Sequence, residues 1–237
     1  LLAMSLFMLV SPIAKAWFPV LTQLNAVNNQ AGFALKFHQG AQLVSVVAGS
    51  ASLVLIFQGE TFLRLWTQDD VLSTNVAPVL RLLAIGYLLN MMVWIPFETQ
   101  MARAAVSLPV KTNLVAVVFM VPAVTVLTFY YGTKGAAVAW ILLNLGYILI
   151  SVQLMFRTIL PHEKWRWYIK DIIIPLVPTA AVLFLLETFF DNIRGAGQQF
   201  GVLLICAIVS LLTSSFFASH VREYLVTFLK LDKKFNL

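Results

Sequence analysis

The chain has 237 residues, 60% of them hydrophobic and 11% charged, with a formal net charge of +6. Soluble domains carry roughly 25% charged residues, and a chain of this size has room for one modest core, so the composition excludes a water-soluble fold. The cations fall in short segments between apolar runs, an arrangement that encodes membrane topology and gives no reason to expect nucleic-acid binding.

A hydrocarbon layer of ~30 Å takes about 20 apolar residues of helix. Seven segments meet that length, near 1–22, 40–58, 78–98, 112–131, 135–156, 172–190 and 200–218. They are continuously apolar, which predicts helices; a membrane barrel would alternate over stretches of ~10 residues. The expected fold is an all-α integral membrane protein of about seven spans.

The first segment holds Lys15 between Pro12 and Pro19, a full charge well inside an expected span. Eight residues, or ~12 Å of helix, separate it from the segment's end near Gln23. Facing lipid, it costs about 2.5–3.5 kcal/mol on insertion scales. Its stem can snorkel toward the interface, or its amine can face a cavity opened by proline kinks.

The linker "NNQAGFALKFHQGAQL" reads as a short amphipathic helix lying on the membrane surface before the second span. The loop 59–77, with "GETFLRLWTQDD", is too short to fold alone. The third span carries Asn90 and Pro96, and its end gathers Glu98, Gln100 and Arg103. Glu98 and Arg103 are five residues apart and so do not share a helix face.

In "YYGTKGAAVAW", Gly132 and Gly135 predict a tight hairpin between spans four and five. Span five carries Asn144 and Gln153. Next, "LPHEKWRWYIKD" interleaves Trp165, Trp167 and Tyr168 with Lys164, Arg166 and Lys170, a mixture that suits the headgroup layer and anionic lipid. The last two spans contain Pro175, Pro178 and Cys206, the cysteine reading as a small buried hydrophobe. The tail "REYLVTFLKLDKKFNL" reads as a second surface helix.

Charge sets the expected orientation. Lys36, Arg103, Lys111, Arg157, Lys164, Arg166, Lys170, Arg222, Lys230, Lys233 and Lys234 fall on one side, against Arg64, Arg81, Lys134 and Arg194 on the other. The bias predicts a cytoplasmic C-terminus and an N-terminal end on the outer face. Leu1 opens inside an apolar run, so the chain is expected to be the C-terminal part of a longer protein.

No catalytic residue, cofactor or metal site is expected, and no enzyme activity. His38, His162 and His220 sit in loops or tail without metal-ligand spacing, and no phosphate loop, nucleophile elbow or zincin motif occurs. The acidic residues, Asp171, Glu163 and Asp191 among them, are expected in loops or at span ends, none deep in the bilayer and none paired for general acid/base work. The amides Asn90, Asn144 and Gln153 either bond a neighbouring helix, at ~0.6 kcal/mol each, or face a ligand.

Several of these stretches together resemble the polysaccharide biosynthesis proteins, the O-antigen-type flippases of the multidrug/oligosaccharidyl-lipid/polysaccharide exporter superfamily. "WFPVLTQLNAVNNQAGFALKFHQGAQLVSV" is similar to that family's span and linker, and "FLRLWTQDD" to its outer loop. "VLRLLAIGYLLNMMVWIPFETQMA" resembles its next helix, "YYGTKGAAVAWILLNLGYILI" its glycine-hinged hairpin and "EKWRWYIKD" its following loop. The resemblance covers most of residues 10–175. It implies two six-helix bundles facing each other across a central cavity, sometimes with two added C-terminal helices. Residues 1–171 would be most of the second bundle, and 172–237 the added pair with a cytoplasmic tail. The first bundle would lie on a missing N-terminal part.

The resemblance further implies a bacterial inner-membrane protein. It would flip an undecaprenyl-diphosphate-linked oligosaccharide between leaflets by alternating access, for lipopolysaccharide or another surface polysaccharide. On that reading Lys15, with Arg103 nearer the mouth, would grip the diphosphate, and Asn90, Asn144 and Gln153 would bond sugar hydroxyls. Membrane lipids are the other expected partner. The alternatives are a multidrug cation antiporter of the same superfamily, which would want an intramembrane carboxylate, and a membrane-embedded glycosyltransferase or polymerase, which would want catalytic acids.

Overall fold

The computed structural model describes residues 2–190, 193 and 195–235, with side chains as far as Thr227. Leu1, Asp191 and Arg194 lie outside the described residues, as do the side chains of Lys230, Asp232, Lys233 and Lys234. Among the described residues there is helix and no strand.

Helix α1 spans Leu2–Ala26 and continues through Pro12 and Pro19. A left-handed turn at Asn28 (φ 52°) reverses the chain. The Asn29 side chain then accepts a 2.9 Å bond from the Gly32 N–H, the cap that satisfies an otherwise orphan donor and starts α2, Gln30–Thr67. At the far end Gln68 is left-handed (φ 53°), and Asp69 caps α3, Asp70–Met92, by accepting 2.9 Å from Leu72 N–H. A break at Val93 separates α3 from α4, Trp94–Ala102.

The next helical run, Ser107–Thr158, folds back on itself at Gly132. The torsions there, φ 59° and ψ −138°, suit glycine and little else. A Cβ on Gly135 would sit 1.9 Å from the Leu127 carbonyl oxygen, eight residues back, where a straight helix would separate them by ~12 Å. Residues 107–131 (α5) and 133–158 (α6) are therefore antiparallel neighbours joined by a one-residue turn. Helices α7 (Lys164–Phe190), α8 (Ala196–Phe217) and α9 (Ser219–Phe235) complete the chain. Among the described residues six helical stretches are long and apolar enough to cross a membrane, and Gly132 divides one of them. The protein is an all-α integral membrane protein; the expected spans 40–58, 112–131, 135–156 and 172–190 each fall within one helix, 1–22 and 200–218 overlap α1 and α8, and 78–98 is divided by the break at Val93. The expected division at 171/172 falls inside α7.

Helix α2 is the centre of the packing. Phe33, Phe37, Ala41, Val44 and Ala48 on it are buried, and the helix packs against α1, α3, α7 and α8. This corrects the expectation of a surface-lying helix before a span at 40. The segment 30–39 is the first part of a 38-residue helical stretch that kinks at Gln58, and of its polar residues His38 is the one taken inside. His38 is fully buried, its ring nitrogens bonded to Asp171 and Glu163. Asp171 is itself fully buried within α7. The same bonds bring Asp171 and Glu163 to one imidazole ring. Local sequence reads such residues as solvated; tertiary pairing takes them inside.

Helix α5 has the opposite character. Its most apolar stretch has no buried residue, and Val117, Val118, Phe119 and Val121 point away from the bundle. Three wide π-helical turns interrupt the regular pitch, at Ser45–Gly49 in α2, Tyr147–Ser151 in α6 and Trp167–Ile173 in α7. Such turns often accompany functional sites.

Candidate functional site

The break at Val93 aims the end of α3 and the start of α4 at the α5–α6 hairpin, and between them lies a cavity of about 260 Å³. Its wall combines three aromatic rings, Trp94, Phe97 and Tyr147, with the polar side chains of Asn90, Gln100, Asn113 and Ser151. Glu98 is the charged residue among those lining it. Trp94 is braced edge-on by Phe7 of α1, with ring centroids 4.3 Å apart. Tyr147 and Ser151 begin and end the π-helical turn of α6, which sets both on the cavity side.

Gln100 is 1% exposed. Its Nε2 donates a long 3.4 Å bond to the Pro96 carbonyl, the oxygen whose usual helical donor lies four residues on. Its Oε1 is buried with no partner. A buried amide oxygen without a donor costs about 1–3 kcal/mol, and the residue that carries it is one of those lining the cavity.

The five residues expected at a site are placed as follows. Asn90 lines the cavity and donates 2.7 Å to Asn144 Oδ1. Asn144 is fully buried behind it and donates 2.8 Å to the Trp140 carbonyl. Gln153 turns the other way, donating 2.6 Å to the Tyr168 hydroxyl and tying α6 to α7. Arg103 sits at the end of α4, where Nη1 donates 2.7 Å to Asn25 Oδ1 and Nη2 donates to Gln30 Oε1. Its guanidinium lies 4.4 Å from the Phe33 ring centroid, so it clamps α4 to the α1–α2 turn. Lys15 is exposed on α1 and does not line the cavity. The structure thus brings Asn90 and Asn144 together and leaves Arg103, Gln153 and Lys15 at three separate places.

Sequence reasoning noted Glu98 and Gln100 as a cluster but missed Trp94, Tyr147, Asn113 and Ser151. Aromatic residues at span ends read as interfacial anchors, and the π-helical turn that directs Tyr147 and Ser151 inward leaves no mark on hydropathy. Among the described residues no group of three or more His, Cys, Asp or Glu is arranged to hold a metal ion.

Chemically, flat aromatic faces beside uncharged amides and hydroxyls suit a polar, uncharged ligand such as a sugar ring. The rings cover C–H faces and the amides meet hydroxyls. At about 260 Å³ the space is slightly below the ~300–1,000 Å³ of drug-sized sites, which fits a group of one or two sugar rings.

No family model matches the chain, and no solved structure matches it. It is 25% identical over 188 residues to a Klebsiella pneumoniae protein named "Uncharacterized membrane protein in cps region". The alignment takes in 78% of this chain and 38% of that protein, so the chain spans well under half the length of its relative.

Proposed function

We propose that the chain is part of a transporter that flips a lipid-linked oligosaccharide from the cytoplasmic to the periplasmic leaflet of a bacterial inner membrane, for surface polysaccharide synthesis. The observation that carries this reading is the cavity of aromatic rings and uncharged amides set between membrane helices. The relative's place in a cps region, read as capsular polysaccharide, supports it. In this reading the chain is not an enzyme, its C-terminus is cytoplasmic and a missing N-terminal bundle faces it. The substrate is an undecaprenyl-diphosphate-linked oligosaccharide. Its sugar enters the cavity beside Asn90 and Gln100. Its diphosphate stays outside, in the space between bundles that the exposed Lys15 would face.

A second reading, the multidrug cation antiporter, gains from Glu98, a carboxylate in the wall of the same cavity. The full-length protein separates the two in a strain lacking it. Asn113→Trp, which fills the cavity from an exposed position, abolishes surface polysaccharide, whereas Leu204→Trp on the exposed face of α8 leaves it intact. Glu98→Gln keeps polysaccharide export. If Asn113→Trp exports normally, the cavity is not the sugar site; if Glu98→Gln abolishes drug resistance and no polysaccharide phenotype exists, the antiporter reading replaces the flippase.

A further inference from the structure

Some distance from the cavity, α7 is fastened to α2 by a cluster that the transport reading does not use. The His38 ring is fully buried. Its Nε2 faces Glu163 Oε2 at 3.0 Å, and its Nδ1 faces Asp171 Oδ2. Gln42 Nε2 donates 2.9 Å to the other Asp171 oxygen, and Gln42 Oε1 accepts 2.8 Å from the His220 N–H at the start of α9.

A proton count follows from the chemistry of the three groups. Two ring nitrogens each approach a carboxylate oxygen, and each contact needs a proton between its atoms. Neutral imidazole with two carboxylates supplies one. The arrangement therefore holds one proton more, as an imidazolium or as a carboxylic acid, and that proton belongs to the cluster as a unit. Removing it sets a bare ring nitrogen against a carboxylate oxygen, and on the Asp171 side both groups are fully buried.

Exposure is graded along the cluster. The Glu163 side chain is 27% exposed, while those of His38 and Asp171 are 0%. A proton taken up by Glu163 passes to Nε2 while the Nδ1 proton shifts toward Asp171, a transfer balanced within the triad. Other charged groups near it are few. Arg166 lies 3.7 Å from Glu163; His220, on α9, has its Nδ1 3.7 Å from Glu223; Lys170 contributes its carbonyl, 3.4 Å from Gln42 Nε2. From α1 and α4, no titratable side chain among the described residues lies within hydrogen-bond or ion-pair distance of the triad.

We propose that Glu163, His38 and Asp171 form a proton-binding site, loaded through Glu163, whose occupancy holds α7 and the start of α9 against α2. The π-helical turn at Trp167–Ile173 carries Asp171 and also Tyr168, whose hydroxyl receives the Gln153 bond and donates 3.4 Å to the Ile148 carbonyl. Ile148 lies in the turn that shapes the cavity wall. Proton loading thus acts on an element bonded to the turn that carries Tyr147 and Ser151, whatever the cavity binds.

The test uses the full-length protein in nanodiscs, with two measurements made together over a pH series. With three histidines in this chain, histidine-selective ¹⁵N NMR on samples assigned by His38→Gln reads the imidazole. Infrared carboxylic-acid bands, assigned by Asp171→Asn and Glu163→Gln, read the carboxyls. Hydrogen-exchange protection factors over residues 164–175 read the docking of α7. The expected result is one cluster-bound proton at neutral pH. Protection in the wild type should fall about ten- to hundredfold as that proton is lost, the scale of one charged hydrogen bond. His38→Gln and Asp171→Asn should flatten that pH profile. A cluster with no extra proton in either spectrum overturns the proposal. So does wild-type protection that stays constant while the proton leaves, since a purely structural tie behaves that way. Neither readout depends on the identity of a transported substrate.

Discussion

The bond between Asn90 and Asn144 decides whether these two amides are a structural tie or a free pair of ligand contacts, and a double-mutant cycle measures it. The contact is 2.7 Å between α3 and α6. Hydrogen bonds between membrane helices average about 0.6 kcal/mol and reach about 1.7. The two single substitutions are unequal. Asn90→Ala strands the Asn144 oxygen, which is fully buried, at a cost of about 1–3 kcal/mol. Asn144→Ala leaves an Asn90 amide that can turn to the cavity, and it also removes the local bond to the Trp140 carbonyl. That local bond is lost whether or not Asn90 is present, so it cancels in the cycle. The expected coupling is about 0.6–1.7 kcal/mol, about 3- to 18-fold in the unfolding equilibrium. The assay is reversible unfolding of the full-length protein in mixed micelles. Coupling inside the ~0.3 kcal/mol tolerance of independent sites would refute the pairing and leave the Asn90 amide as a free contact at the cavity wall.

Two further substitutions probe the frame. Gly132→Ala forces a side chain into torsions that only glycine tolerates, and should lower stability by about 1–3 kcal/mol, read as a reduced thermal midpoint; an unchanged midpoint would mean the hairpin turns elsewhere. Arg103→Lys keeps the charge but cannot span both Asn25 and Gln30 while lying over Phe33. It should cost about 1.5 kcal/mol, one hydrogen bond to a charged group, in the same unfolding assay, and equal stability would show that charge alone holds the α4 end.

Hydropathy found the membrane helices because each is a local property, and the glycines at 132 and 135 announced the hairpin for the same reason. Burial of His38 and Asp171 was not legible. Their partners lie more than 100 residues apart in the chain, so the segment around His38 reads as a solvated linker until α7 packs against it. Arg103 shows the same effect, with its acceptors on Asn25 and Gln30 some 75 residues away. The cavity was half visible. Asn90, Glu98 and Gln100 stand out as polar residues in apolar sequence, whereas Ser151 and Tyr147 look ordinary until the π-helical turn redirects them. A change of pitch shifts a register by one residue and alters composition not at all.

The one-residue turn at Gly132 also bears on how the protein is made. Helices α5 and α6 have no loop to park in water while one of them waits for the other. Either helix inserted alone would leave its partner's apolar surface stranded in solution. The pair must therefore enter the bilayer as a single folded wedge, with Lys134 close to the tip as the charge that travels with it. The walls of the cavity come from this hairpin and from α3 and α4, so the angle set at Gly132 is also an angle of the cavity.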